Sequence, residues 1–487
     1  MSIIDKKNLS LVMDFYELTM AQSFLENDME NIIAGFDLFF RENPDNANFS
    51  IMGGTEEVID LILNFKFSDE DIIYLKSLNT FNQNFLDYLK NFKFTGDIWA
   101  IEEGTVIFPN EPLIKVKAPI IEAQLIETFL ILLVNRACLF TTKANRIARQ
   151  IKSDDILLEF GARRSQGIDI PLYAPRYAYI GGFHGTSSTI AGKLFNIPVS
   201  GTMAHSYVMT FESEYEAFEK YCKSYLDNVV LLVDTYDTIN SGIPNAIKAF
   251  DTILKPLGKR PKAIRLDSGD LSDLSKKARI MLNNAGYKDC KIFVSNSLDE
   301  NLIQSLRFQD SKIDGYGIGE RFATSKSSPI FGIVYKLVYL IKPDGEMINK
   351  IKLSDNPIKL TNPGNKKIYR IYDMNNKAYG DIITLDYEKI DNTKDTTFYN
   401  ELYPSKRTTF KANCYKIKEL LVPIFINGEL VYKKPPLDKI RDRCKNEVDS
   451  LYEGVKRLVN PHKYYVDLSD DLIKLKRELI KKMQNNF

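Results

Sequence analysis

Between about residue 140 and residue 340 the chain repeats one pattern, and that pattern limits its fold more than any other feature. Short apolar runs end in polar or glycine-rich turns and give way to helical periodicity. The runs are "DILLEFGARR", "IPVSGTMAHS", "VVLLVDTYDT", "KAIRLDSGD", "KIFVSNS" and "IDGYGIGE". Between them lie helix candidates such as "SEYEAFEKYCKSY", "IPNAIKAFDTILKPLG", "LSDLSKKARIMLNNAG" and "LDENLIQSLRF". Strand and helix in alternation predict a parallel sheet covered on both faces. At least six such units without a dinucleotide fingerprint favour a barrel over an open sheet.

The flanks read differently. Residues 1–137 mix helix and strand patterns, with Ser68 and Asn82 as N-cap types ahead of two helices. The barrel region is bounded as 138–350. Residues 351–487 read as a C-terminal extension of strands and amphipathic helices. The most apolar stretch, "LIETFLILLVNRACLF", is broken by Glu127, Asn135 and Arg136. It is too short and too charged to span a bilayer and reads as a buried helix. The start, "MSIIDKKNLSLVMDFYEL", lacks the uninterrupted apolar core of a signal peptide. Five scattered cysteines form no CxxC or Cys/His cluster, so reduced thiols and a cytoplasmic setting are expected. A net charge of +1 gives no bulk electrostatic reason to expect nucleic acid or anionic membrane as partner.

In an α/β barrel the active site forms at the carboxyl ends of the strands. The residues just past each apolar run therefore read as one rim. They are Glu159, Arg163 and Arg164; Thr202 and His205; Asp234 and Asp237; Arg265, Asp267 and Asp270; Ser295 and Asn296; and Gly317, Gly319 and Glu320. Each position has a plainer reading beside the functional one. Glycines in "DGYGIGE" suit backbone N–H groups facing a phosphate, or only a tight turn. Asp270 sits where a helix begins and reads as its N-cap. Asp267 sits at a strand end and suits Mg²⁺ or a sugar hydroxyl. The arginines of "GARRSQG" suit a bidentate carboxylate or phosphate, or a surface pairing with "SDD" upstream. "GTSST" offers hydroxyls and backbone donors, or a helix cap. His205 is one of only three histidines; it is either a reactive imidazole or a hydrogen-bonded, partly buried ring. No P-loop, HExxH or Ser–His–acid order is present. The rim suits a doubly anionic, magnesium-bound sugar phosphate.

Taken together, "DFYELTMAQ", "FGARRSQG", "YIGGFHGTSSTIAGKLFNIPVSGTMAHS", "LLVDTYDT", "IRLDSGDL", "VSNSLDE", "GIGE…FGIVYKLV", "NPGNKKIYRIYD", "ELLVPIF" and "NPHKYYVDLS" strongly resemble the nicotinate phosphoribosyltransferase family, in order and over nearly the whole chain. The resemblance implies an irregular (β/α) barrel of the type II phosphoribosyltransferase kind, with a mixed α+β N-terminal domain and a C-terminal extension. It implies ATP-coupled transfer of phosphoribosyl from phosphoribosyl pyrophosphate to nicotinate, giving nicotinate mononucleotide and pyrophosphate in NAD salvage. Mg²⁺ and ATP are then expected as cofactor and co-substrate. His205 matches the histidine that ATP phosphorylates. Tyr16 matches a tyrosine that packs on the pyridine ring from the partner subunit of a homodimer. Thr202 and Arg265 match nicotinate contacts, Arg163 an arginine near substrate anions, and Gly319 the loop that cups the sugar phosphate. Asp267 stands beside His205 as a candidate catalytic residue, and no resident metal ligands are assigned. Glu320 departs from the pattern, standing where many members have threonine.

Three rivals are weighed. Nicotinamide phosphoribosyltransferases carry an aspartate where this chain has Ser187. An acid there accepts a hydrogen bond from a carboxamide and repels a carboxylate, so Ser187 favours nicotinate. Quinolinate phosphoribosyltransferases are typically shorter and do not need the histidine motif. A non-catalytic nucleotide sensor does not require His205, Arg265 and Asp267 intact.

Overall fold

The computed structural model describes residues 6–353, 359–400 and 407–484. Residues 1–5, part of the stretch read against a signal peptide, lie outside these. The described chain divides into two compact units. One is continuous, Lys143–Pro329; the other joins Met1–Thr142 to Ile330–Phe487.

The continuous unit carries the repeating pattern. Its strands are β1 (Ile156–Glu159), β2 (Gly185–Thr186), β3 (Val230–Leu232), β4 (Ala263–Leu266), β5 (Lys291–Ser295) and β6 (Gly315–Ile318). All pair in parallel, in the order β2-β1-β6-β5-β4-β3. That is the order of a barrel opened between β2 and β3. Registers such as Ile292↔Ile264 and Ile318↔Glu159 bring the strand ends level. Leu157, Leu231, Ile264, Ile292 and Ile318 are each fully buried, as strands covered on both faces must be. Burying side chains of this size contributes about 1.5–3 kcal/mol apiece.

Helices follow the strands: α1 (Ile170–Gly181), α2 (Thr189–Phe195), α3 (His205–Met209), α4 (Glu214–Ser224), α5 (Ile243–Ala249), α6 (Leu271–Asn284), α7 (Glu300–Phe308) and α8 (Glu320–Ala323). Several open on side-chain caps, which satisfy amides left unpaired in a first turn. Ser213 accepts from Glu216 N at 3.1 Å and Asp299 from Leu302 N at 2.8 Å. The apolar spacing on α6 buries Ala278 and Leu282.

One expected strand is corrected. "IPVSGTMAHS" forms no strand beyond a single parallel bridge, Thr186↔Val199. Pro198 has no N–H to donate, and its carbonyl accepts from Thr186 N at 3.0 Å. Ser200 N donates to Thr186 O at 2.9 Å. The ladder then stops and residues 199–201 are exposed. Its place in the sheet goes to β2, in the stretch read as a possible helix cap.

The other unit corrects the expected domain division, because residues 351–487 are not a separate extension. A seven-stranded sheet interleaves both ends of the chain. Ile333–Ile341 pairs antiparallel with Ile33–Phe40, and Leu421–Ile426 with Asp97–Ile101. A second, six-stranded sheet draws its strands from Lys366 onward. Beside it the Arg370 guanidinium, fully buried, bonds Asp381, Glu447 and the Val106 carbonyl. The apolar stretch near residue 130 opens the helix Glu127–Ala148, as expected. No helix among the described residues is long and apolar enough to cross a membrane.

Candidate active site

At the carboxyl ends of the barrel strands lies a cavity of about 470 Å³. Its wall comes wholly from the continuous unit. Arg163, Thr202, Arg265, Asp267 and Gly319 all line it, although they are spread over more than 150 residues of sequence. Ala204 lines it too, and His205 follows at the first turn of α3. Tyr16 is not part of this wall. It lies in the other unit on the helix Phe15–Glu26, 45% exposed, and burial, with the charge of Glu127 nearby, raises its pKa.

Asp234, one residue beyond Val233 at the end of β3, organises the acidic side. Its carboxylate is buried and accepts from three directions. Oδ1 meets His205 Nε2 at 3.3 Å. Oδ2 accepts from Asp267 N at 2.9 Å and from Ser268 Oγ at 2.6 Å. One side chain thus ties β3, the turn after β4 and the histidine together. His205 keeps 39% of its side chain exposed while Asp234 keeps 1%. The imidazole is therefore reachable on one side and held on the other. His184 has a different part: its Nδ1 accepts from Leu157 N at 3.0 Å, so it props β1.

Arg265 projects from β4. Burial lowers its pKa; Asp267 and Asp234 oppose that fall and Arg163 adds to it. Its Nε is buried with no hydrogen-bond partner. A buried guanidinium donor without an acceptor is costly, and an anionic ligand in the cavity would supply one. Arg163 and Arg164 sit on a turn, Ala162–Arg164, and both are exposed. Neither makes the surface pairing with the upstream acids, since Asp155 accepts instead from Lys152 N at 2.9 Å. Asp267 Oδ1 accepts from Ser295 Oγ. Beside it, Asn296 and Ser297 hold φ of 91° and 51°, a left-handed pair that turns the chain past the cavity. Such backbone costs on the order of 1 kcal/mol per residue and collects at functional sites.

The remaining rim residues separate into ligand-facing and supporting roles. Asp270 caps α6, accepting from Ser272 N and Asp273 N at 3.0 and 3.1 Å. Asp237 accepts from Ile239 N and Asn240 N at 3.0 and 2.8 Å. Glu159, nearly fully buried, accepts from Gly161 N and Thr186 Oγ1 and joins β1 to β2; burial raises its pKa, against those two bonds. Ser187 donates its amide to the Glu159 carbonyl at 2.9 Å and leaves its exposed side chain at the cavity. Gly317 has no room for a side chain: a Cβ there would stand 2.5 Å from the Phe160 ring. Glu320 pairs with Lys326 at 3.0 Å, which draws its charge away from the glycine turn. Asp234 and Ser295 were visible as strand-end polar residues, but their roles appear only once β3, β4 and β5 stand side by side.

Among the described residues no group of three or more His, Cys, Asp or Glu side chains could hold a metal ion. Glu320, paired with Lys326, also lines the cavity, but Asp267 is the carboxylate just past β4. It fits Mg²⁺ arriving on a substrate's phosphates, since that ion is commonly held by one or two carboxylates plus phosphate oxygens.

Comparison with known proteins identifies the relatives. Residues 11–135 match the model of the nicotinate phosphoribosyltransferase N-terminal domain, and residues 365–476 that of its C-terminal domain. The chain is 41% identical over 483 residues to nicotinate phosphoribosyltransferase of Bacillus subtilis, covering 99% of this chain and 97% of the relative. It is 34% identical to the Dictyostelium discoideum enzyme of that name, over 95% of this chain and 86% of the relative. The crystal structure of human nicotinic acid phosphoribosyltransferase superposes with a TM-score of 0.85 at 27% identity, covering 96% of this chain and 99% of that one. A nicotinate-nucleotide pyrophosphorylase from Pyrococcus furiosus, at 22% identity and a TM-score of 0.69, shares the fold.

The open parallel barrel, with arginines, an acid and a glycine turn around one cavity, defines a phosphoribosyltransferase of the type II kind. Within that class the chain belongs to the nicotinate phosphoribosyltransferase family.

Proposed function

We propose that the chain transfers the phosphoribosyl group of phosphoribosyl pyrophosphate to nicotinate, giving nicotinate mononucleotide and pyrophosphate in NAD salvage, with ATP hydrolysis coupled through a phosphohistidine at His205. The observation that carries the reading is the orphaned Nε of Arg265 in the wall of the cavity, beside Asp267 and within the field of Arg163. Arginine binds a pyridine carboxylate through paired N–H groups. Ser187 leaves that carboxylate unopposed.

The transferred sugar develops positive charge at its anomeric carbon as pyrophosphate departs, so the residues' work is alignment and charge neutralisation. Arg265 holds nicotinate with its ring nitrogen free to attack. Arg163 and the Gly319 turn take the phosphates. When bound, Mg²⁺ offsets charge on the departing pyrophosphate; Asp267 is the carboxylate to meet it.

His205 answers the ATP requirement. Nε2–H donated to Asp234 leaves Nδ1 with its lone pair. Nδ1 attacks the γ-phosphorus of ATP, the N–P bond forms, and ADP leaves with the electron pair of the broken P–O bond. Hydrolysis of the N–P bond later returns the imidazole and releases phosphate. Tyr16 is read as completing the site of a partner subunit; Phe15 and Tyr16 lie half exposed on one helix, which supports a homodimer. A cytoplasmic location accords with the reduced cysteines.

The test is product formation from nicotinate and from nicotinamide, with and without ATP, for the native chain and His205→Asn. The native chain should prefer nicotinate and gain from ATP. The variant should fold, stay weakly active and lose the gain. Full ATP-stimulated turnover by the variant would remove His205 from the mechanism; a preference for nicotinamide would overturn the substrate.

A further inference from the structure

Two separate stretches reach the cavity side by side: the arginine turn after β1, and Ser187 after β2. Between them stands Glu159, the last residue of β1. It is 2% exposed and is not part of the cavity wall. Its Oε1 accepts from Gly161 N, and its Oε2 accepts from Thr186 Oγ1 at 2.7 Å. Each carboxylate oxygen thus serves one of the two arms, through an uncharged donor.

On the first arm Gly161 carries the turn. Its carbonyl accepts from Arg164 N at 2.9 Å and from Ser165 Oγ at 3.1 Å. Arg163 therefore rides on a turn whose first amide is bonded to Glu159. A Cβ at Gly161 would stand 2.7 Å from Glu159 Oε1, so only glycine lets the amide come this close. On the second arm Ser187 is held on both sides of its Cα. Its own amide donates to the Glu159 carbonyl at 2.9 Å. The next amide, Ser188 N, donates to Thr186 Oγ1 at 2.9 Å, and that hydroxyl gives its one proton to Glu159. The Ser187 side chain is left exposed at the cavity. Burying a carboxylate among neutral donors is costly for stability, and the bonds that this one makes go to the two arms.

We infer that Glu159 is a positioning residue: from beneath the cavity it fixes the arginine turn and Ser187 against each other, and so sets both the hold on the sugar substrate's phosphates and the discrimination of a pyridine carboxylate from a carboxamide. The inference rests on the roles proposed above for Arg163 and Ser187.

The test compares the full chain with Glu159→Gln, Thr186→Val and Thr186→Ser. Three quantities are measured: kcat and KM with phosphoribosyl pyrophosphate varied, the ratio of kcat/KM for nicotinate to that for nicotinamide, and hydrogen exchange at the amides of residues 187 and 188. Glutamine keeps the shape of Glu159 but offers one neutral acceptor oxygen in place of two charged ones. The KM for phosphoribosyl pyrophosphate should rise and the nicotinate-to-nicotinamide ratio should fall, each by about five- to tenfold, while kcat stays within about threefold. Thr186→Val cuts the second arm alone. The ratio should fall by a similar factor and the two amides should exchange faster, with the KM for phosphoribosyl pyrophosphate within about twofold of native. Thr186→Ser keeps the hydroxyl and should restore native values. Equal losses of kcat on both pyridines, with native KM and ratio, would overturn the inference, because a merely structural role predicts that pattern. A native ratio in Thr186→Val would overturn it too. Should Glu159→Gln fail to fold, Thr186→Val against Thr186→Ser decides by the same ratio. If the native chain shows no preference for nicotinate, the reading of Ser187 fails by itself; native exchange at residues 187 and 188 in Thr186→Val would then refute the positioning, and faster exchange would support it.

Discussion

Asp234→Asn isolates the carboxylate that joins His205 to the rest of the site. The native side chain accepts from His205, from Asp267 N and from Ser268 Oγ. Asparagine keeps one acceptor oxygen and gains an NH₂. The Asp267 N–H is fixed in the backbone and needs an acceptor, so the amide oxygen takes that side. The NH₂ then faces the imidazole, which must present a lone pair at Nε2 and carry its proton on Nδ1. That is the nitrogen proposed to attack ATP. An amide in place of a carboxylate thus selects the wrong tautomer without changing shape. Losing a hydrogen bond to a charged acceptor costs about 1.5–3 kcal/mol, or about 10- to 150-fold in the labelling rate. The assay is rapid-quench measurement of acid-labile phosphate from γ-labelled ATP, beside turnover without ATP. Labelling should fall by that factor while ATP-independent turnover changes much less. Labelling at the native rate would refute the tautomer reasoning and release Asp234 from any part in it.

Ser187→Asp places a carboxylate at the cavity where nicotinate's own is expected; kcat/KM should fall at least about tenfold more for nicotinate than for nicotinamide, and equal losses on the two substrates would argue that Ser187 does not read that group. A pH effect is expected at Glu17, whose pKa burial pushes up to about 7, against its bonds from Thr128 and with help from Glu127. A raised carboxyl pKa means the folded state binds the proton more tightly than the unfolded one, so stability is full below the unfolded value near 4.5 and falls as pH climbs toward 7. Glu17→Gln should therefore gain on the native chain in Tm between pH 5 and pH 8, by about 2 °C or more; a difference that does not vary with pH would show that Glu17 stays ionised throughout.

The barrel was legible because each strand is a short apolar run with a charged or glycine-rich end, a local signal. Asp270 was legible as a cap for the same reason, since the helical periodicity begins one residue later. The segment "IPVSGTMAHS" was misread because "IPV" looks like a strand until Pro198 is asked for an N–H. β2 escaped notice because two residues have no period. Asp234 stood in plain view at a strand end, yet its part depends on β3 lying beside β4, which no local pattern encodes. The C-terminal segment was set apart for a similar reason: the pairing of Leu421–Ile426 with Asp97–Ile101 joins residues more than 300 apart in sequence. Tyr16 was chosen by resemblance alone, and nothing in the spacing around it leads to the cavity.

The interleaved sheet also sets an order of events during synthesis. Every strand of the barrel has been made once residue 329 has left the ribosome, because that unit is one unbroken piece of chain. The sheet built on Ile33–Phe40 must wait for Ile333–Ile341 and then for Leu421–Ile426. Until they arrive, an apolar strand whose residues end up almost wholly buried stands with one edge open, the condition in which nascent chains find wrong partners. The first-made part of the molecule is thus the last to be finished, and the growing polypeptide is most in need of chaperone protection over the stretch that makes the catalytic barrel.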